Sequence, residues 1–310
     1  MFARENGRAI VAMLLSTAFF MFNDATLKYT AQSMPLGQVI FLRGLITTSI
    51  MGLICLYLGD FKIGRKLLHP VILARSILEV IGSLMYLTAL TQMPIANATA
   101  MLQAMPLMVT AGAALVYGEQ VGWRRWSAIF VGFLGVMLII RPGMQGFDAW
   151  ALLALGAVFF MALRDLVTRS MPKGLPSTAV CFVVCLAVTL MGWGLGLKEQ
   201  WVSVSQSHAY PMGALSLFLI GAYFFAILAT RTGDMCAVAP MRYTGLIWAT
   251  GIGVVVWGTK PDWLTGIGML VVVSSGLYMV YREHKRKNEQ PSEITIKTTQ
   301  ANDLLIGVAK

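Results

Sequence analysis

Charged side chains are scarce in this chain. Asp, Glu, Lys and Arg make up 12% of its 310 residues, against about 25% in soluble domains. The acidic sign is the rarer one, with 14 Asp and Glu against 24 Lys and Arg. Hydrophobic residues reach 57% and mean hydropathy is +0.71. A soluble fold of this size could not cover such an interior with polar surface, so lipid must act as part of the solvent. Histidine is nearly absent: His69, His208 and His284 are scattered over loops and tail. The four cysteines, Cys55, Cys181, Cys185 and Cys236, include no C-x-x-C pair. A metal centre and a disulfide scaffold are therefore not expected, and Cys181 and Cys185, one helical turn apart, read as packing residues.

Other absences narrow the function. No P-loop precedes a helix, so ATP is not the direct energy source, and no cofactor is expected. No His cluster, Ser-Lys pair or paired carboxylates support an intramembrane enzyme, and no repeated filter-like loop supports a channel. The net charge of +10 sits in short connections and near the C-terminus, not on a basic face with interleaved aromatics, which excludes nucleic acid as a partner. The expected partners are a small-molecule substrate and the lipid bilayer, with a homodimer left open.

What the chain does have is a repeat. Phe19-Phe20-Met21 returns as Phe159-Phe160-Met161, and Tyr117-Gly118 with Trp123 returns as Trp257-Gly258 with Trp263, about 140 residues later. Gly135 and Arg141 have counterparts in Gly276 and Arg282, shifted by one more residue. Apolar segments long enough to cross about 30 Å of hydrocarbon fall at 9–27, 36–58, 70–90, 95–117, 126–140, 149–167, 178–197, 209–229, 236–257 and 264–281. The fold class is thus an all-α integral membrane protein of ten transmembrane helices. Its units are expected at 9–141 (helices one to five) and 149–282 (helices six to ten), with a tail at 283–310 and the join at Pro142–Gly146. Five helices per copy is an odd number, so the second copy enters the membrane from the opposite side and the repeats are inverted. Arg4 and Arg8 before an apolar run, with Ala31-Gln32-Ser33, imitate a signal peptide. Asn23, Asp24 and Lys28 interrupt that pattern, so a retained first helix is expected.

With the N-terminus inside, the cytoplasmic connections hold Arg4, Arg8, Lys62, Arg65, Lys66, Arg124, Arg125, Arg169, Lys173, Arg231, Arg282, Lys285, Arg286 and Lys287. The other side holds only Lys28, Arg141, Lys198 and Lys260. This positive-inside excess places both termini in the cytoplasm.

The stretch from Ala96 through Pro106 to Gly118-Glu119, then Trp126 to Arg141-Pro142-Gly143, resembles the drug/metabolite transporter superfamily in its EamA-type branch. The second copy follows the same plan from Ala239-Pro240-Met241-Arg242-Tyr243 through Trp257-Gly258 to Gly276-Leu277-Tyr278, with Thr259 in place of the glutamate. The resemblance implies secondary transport of a small organic metabolite by alternating access. It also implies a cavity walled by helices one to four and six to nine, with five and ten supporting. Arg164-Asp165 together with Arg242-Tyr243 is similar to a subgroup containing bacterial riboflavin importers and S-adenosylmethionine uptake carriers. On that basis riboflavin uptake ranks first. S-adenosylmethionine or other nucleoside-like uptake, and amino-acid or drug efflux, are the alternatives.

An ionisable side chain at membrane depth costs several kcal/mol and demands a reason. Asp24, Arg43, Arg75, Glu79, Arg164, Asp165 and Arg242 are such groups. Arg75 and Glu79 stand one turn apart and are expected to pair. Asp24 and Arg43 lie at similar depth on neighbouring helices, and a planar guanidinium suits carboxylate, phosphate or ring-carbonyl oxygens. Arg164 and Asp165 point about 100° apart on a helix, so they are not expected to share a face. Pro106 and Pro240 lack an N–H, which frees the carbonyls of Leu102 and Cys236 for protein, water or ligand. Gln103 is a polar handle beside the first of these prolines. Tyr86, Tyr243 and Trp248 are spaced to line an aromatic pocket. Gly132, Gly135, Gly251, Gly253, Gly266, Gly268 and Gly276 permit close helix approach.

Overall fold

A computed structural model describes residues 2–60, 64, 67, 69–119, 121–141, 149–172, 175–232, 238–282 and 285. Lys62, Arg65, Lys66, Lys173, Cys236, His284, the join at Pro142–Gly146 and the tail from 286 lie outside the described residues. The helices are α1 (Phe2–Thr30), α2 (Leu36–Leu58), α3 (Pro70–Gln92), α4 (Ile95–Leu102), α5 (Met105–Tyr117), α6 (Trp123–Ile140), α7 (Ala149–Arg169), α8 (Ser177–Gly196), α9 (Gln206–Thr232), α10 (Thr244–Trp257) and α11 (Trp263–Arg282). A 3-10 turn, Ala239–Tyr243, leads into α10. No strand occurs among the described residues.

Nine described segments are long and apolar enough to cross a membrane. Two of the ten expected spans differ from continuous helices. The fourth, 95–117, breaks at Gln103–Ala104 into α4 and α5. Among its described residues, the ninth passes through the 3-10 turn Ala239–Tyr243 into the 14 residues of α10. Each break sits at a proline, Pro106 near the start of α5 and Pro240 within the turn, because neither residue has an N–H to give to the preceding helical turn. The breaks fall at Gln103/Ala104 and Tyr243/Thr244, equivalent positions in the two copies. The helices after them end alike, on Gly118 at φ 65° and Gly258 at φ 67°, a left-handed cap that glycine adopts without steric cost.

Packing follows the inverted repeat. α1 lies along α9, and its repeat partner α7 lies along α3. α2 packs on its own counterpart α8, and α4 on α10. α1 meets α10 as α7 meets α5. The outer surface is apolar, with Tyr57 91%, Leu115 78% and Ile247 73% exposed. Such side chains are tolerable only where lipid is the solvent.

The fifth and tenth spans, α6 and α11, cross at glycines. A Cβ on Gly135 would stand 2.9 Å from the Gly268 carbonyl oxygen, and one on Gly268 2.7 Å from that of Gly135. Ser275 donates to the Ala128 carbonyl at 2.5 Å. Arg141 holds Asp262 at one end of the pair, and this guanidinium keeps the Asp262 carboxyl below the usual carboxylate range. Replacing Gly268 with leucine should cost about 1–3 kcal/mol through overpacking, read as a lower melting temperature of the detergent-purified protein. Gly266→Leu serves as the control, since a Cβ there meets nothing within 4 Å. Equal melting of the two variants would show that the crossing is not tight.

Candidate functional site

Polar groups gather inside the bundle where α1, α2, α3, α7, α8 and α9 face one another. On α1, Asn23 and Asp24 are buried, as are Arg43 on α2 and Tyr86 on α3. Asp24 accepts two hydrogen bonds, from Asn23 Nδ2 at 3.0 Å and from the Tyr86 hydroxyl at 2.8 Å. A carboxylate has acceptor capacity beyond two bonds. Arg43 lies within electrostatic range of Asp24, Tyr223 and Cys185, yet no salt bridge joins Asp24 to Arg43 among the described residues. The Arg43 guanidinium makes no hydrogen bond to any described residue. With Asp24 in electrostatic range but no hydrogen-bonded ion pair, Arg43 has donors to offer an anion entering this hollow.

The second cluster corrects two expectations. Glu79 does not pair with Arg75. It takes both bonds from Arg164 Nη1, at 3.1 and 3.0 Å, and Ser83 donates to it at 3.4 Å. Arg164 also reaches its neighbour Asp165, with Nη2 2.7 Å from Oδ1. Their Cα–Cβ bonds diverge, but the long guanidinium arm curls back across that angle. Arg75 turns instead to the Thr168 hydroxyl at 3.1 Å, and its buried Nη1 has no partner. α7 lies against α3 over this length, so Arg164 on the facing helix sets Nη1 between both carboxylate oxygens of Glu79 while Nη2 holds Asp165.

Tyr223, on α9, is a site residue the sequence reading missed. It lies within electrostatic range of Glu79, Cys185, Arg164 and Cys181 and meets Phe20 edge-on at 5.4 Å, while 53% of its surface stays open. The repeat register was the available signal, since Tyr223 is the counterpart of Ser83, one turn from Glu79. Cys181 and Cys185, expected to be packing residues, also lie within range of Arg75 and Glu79, with Arg43 beside Cys185.

The remaining candidates lie elsewhere. Gln103 donates to the Arg242 backbone carbonyl at 3.2 Å, which joins the breaks of the fourth and ninth spans. Thr17 and Thr244 hydroxyls meet beside them at 3.1 Å. Arg242 itself is exposed. Tyr243 is buried against α11, where its hydroxyl occupies the space a side chain on Gly276 would need, and that hydroxyl has no partner. It is a packing residue in this state. Trp248 lies 6.1 Å from Phe22 at the edge of an apolar crevice of about 660 Å³ between α1, α9 and α10. No group of three or more His, Cys, Asp or Glu able to hold a metal occurs among the described residues.

Known proteins share this plan. An S-adenosylmethionine uptake transporter of Rickettsia prowazekii is 23% identical over 277 residues, covering 88% of this chain and 92% of its own. A riboflavin transporter of Vibrio cholerae is 30% identical over 227 residues, 70% of this chain and 74% of its own. A pseudopaline exporter of Pseudomonas aeruginosa is 23% identical over 265 residues, 85% of this chain and 92% of its own. A solved crystal structure, 20% identical, superposes with a TM-score of 0.61 over 89% of this chain and 97% of that one, which shows the fold. The EamA-like transporter family matches twice, over residues 7–141 and 148–282. With both inverted five-helix units matched, the chain belongs to the EamA-like transporter family and is a multi-pass membrane transporter of that type.

Proposed function

We propose that this transporter is a secondary carrier of the bacterial inner membrane, with both termini in the cytoplasm, that takes up a small zwitterionic, nucleoside-like metabolite of the S-adenosylmethionine class. One observation carries the reading: Asp24 and Arg43 are both buried in the same hollow, close enough to sense each other, and not joined by an ion pair. A solute bearing a carboxylate and a cationic centre can satisfy both at once, its carboxylate on the Arg43 fork and its cation toward Asp24. Tyr223 and Phe20 offer an aromatic wall to a ring. The relatives named for S-adenosylmethionine uptake align along nearly the whole chain, which supports the same class.

Riboflavin uptake, first in the sequence reading, is the second reading. It is favoured by the 30% identity to the Vibrio cholerae protein and by the same aromatic wall, with Arg43 donating to ring carbonyls. Counterflow into proteoliposomes of the purified full chain separates them. Labelled S-adenosylmethionine should accumulate saturably when the vesicles are preloaded with unlabelled S-adenosylmethionine, and riboflavin should compete poorly. Saturable riboflavin counterflow in its place selects the second reading. Saturable movement of neither solute overturns both.

A further inference from the structure

The two copies are not in the same setting at one joint. In the first copy, α5 is shut against α7. A Cβ on Gly112 would lie 2.5 Å from Leu166 Cδ1, so Leu166 fills the glycine notch. The Tyr117 hydroxyl donates to the Leu166 carbonyl at 2.7 Å. Just beyond, Arg169 meets Glu119 at 2.9 Å. The same joint in the second copy lies between α10 and α1, where Thr26 takes the place of Leu166, Ile252 that of Gly112, and Trp257 that of Tyr117. Here all three residues line the crevice of about 660 Å³. α10 still meets α1, at Phe22–Trp248 and through the Lys28 ammonium 5.9 Å above the Trp257 ring. Between these contacts the joint stands open, and Thr259 replaces the acid that Glu119 supplies in the first copy.

We infer that the Leu166–Gly112 seam, latched by Tyr117 and by the Glu119–Arg169 pair, and the crevice between α1, α9 and α10 are one joint in opposite settings, so that opening the latch drives the crevice shut. The physical ground is the inversion itself. Two equivalent units around one hollow exchange conformations when a carrier changes the side it faces, and packed interfaces switch between discrete arrangements and do not deform continuously. The latch lies on one copy only, so it biases the resting population toward the state seen here. The inference rests on the alternating-access reading, and its test needs no substrate.

A full-length variant with Cys55, Cys181, Cys185 and Cys236 replaced by serine would carry Thr26→Cys with Ile252→Cys in membranes. A disulfide between them needs Cα atoms within about 7 Å, and because both residues line the crevice the rate of cross-linking reports how often it closes. A second variant carries Ala111→Cys alone, in the seam, and is read by a membrane-impermeant maleimide. An exposed ion pair and a neutral hydrogen bond are each worth about 1 kcal/mol or less, a factor of about two to five. Glu119→Gln or Tyr117→Phe alone should therefore raise both readouts about two- to fivefold, and together about tenfold. The swap of Glu119→Arg with Arg169→Glu should bring both back toward the starting level, which separates unlatching from misfolding. Labelling that rises without added cross-linking, or neither readout moving, overturns the coupling. Failed counterflow with these responses intact would instead count against the transport reading.

Discussion

Arg43→Ala should cut saturable uptake roughly ten- to hundredfold while changing heat stability little. The two halves of this result come from one geometry. Arg43 is 8% exposed and has no hydrogen-bonded partner among the described residues, so its burial is offset only by the field of Asp24. Deleting it leaves Asp24 its bonds from Tyr86 and Asn23 but takes away the favourable charge of the arginine. It also removes the burial cost of the arginine, and the two opposing terms should leave the melting temperature nearly unchanged. A substrate anion, by contrast, loses charge-assisted bonds worth about 1.5–3 kcal/mol, a fall in transport efficiency of roughly ten- to hundredfold. Arg43→Lys should recover little, since an ammonium cannot reproduce a planar two-point grip. Full transport in Arg43→Ala would take this arginine out of the site. Lost transport with a large drop in melting temperature would make it a structural residue.

The architecture was legible in the sequence because length and hydropathy set each span, and a duplicated word fixed the inversion. The second span runs over the residues expected for it, Leu36–Leu58, and the fourth between its expected ends, Ile95 and Tyr117. What hydropathy cannot register is a break inside an apolar run. Gln103–Ala104 and Ala239–Tyr243 interrupt spans whose composition stays lipid-soluble, and the prolines alone marked the places. The candidate site was suggested by cost: each charge at membrane depth needed a reason, and Asp24 with Arg43 and Glu79 with Arg164 and Asp165 form two clusters. Their partners were not legible. Pairing Glu79 with Arg75 used the spacing along one helix, whereas the bond runs between α3 and α7, a contact set by the inverted packing. Tyr223 escaped notice for a related reason, being an aromatic in an aromatic stretch until α9 places it between the two charge clusters.

That pairing leads to the second large effect. Arg164→Met should be the most destabilising single change within the polar hollow. Arg164 and Glu79 are 17% and 15% exposed at their side chains, and Arg164 supplies both hydrogen bonds that Glu79 receives from a cation. Removing it leaves Glu79 charged, largely enclosed and held only by Ser83, a loss of order 3 kcal/mol. Asp165 suffers less, because at 39% exposure it can take water in place of the guanidinium. Glu79→Gln combined with Arg164→Met should melt well above Arg164→Met alone, since the stranded charge is then gone while the helix contact between α3 and α7 remains. Melting that is equally low in the single and double variants would mean that Arg164 acts through its packing and not through the pair. If the double variant regains stability yet does not transport, the ion pair is a working part of the cycle. A pair needed only for folding can be replaced by neutral groups, whereas one that must break and re-form as α7 moves against α3 cannot.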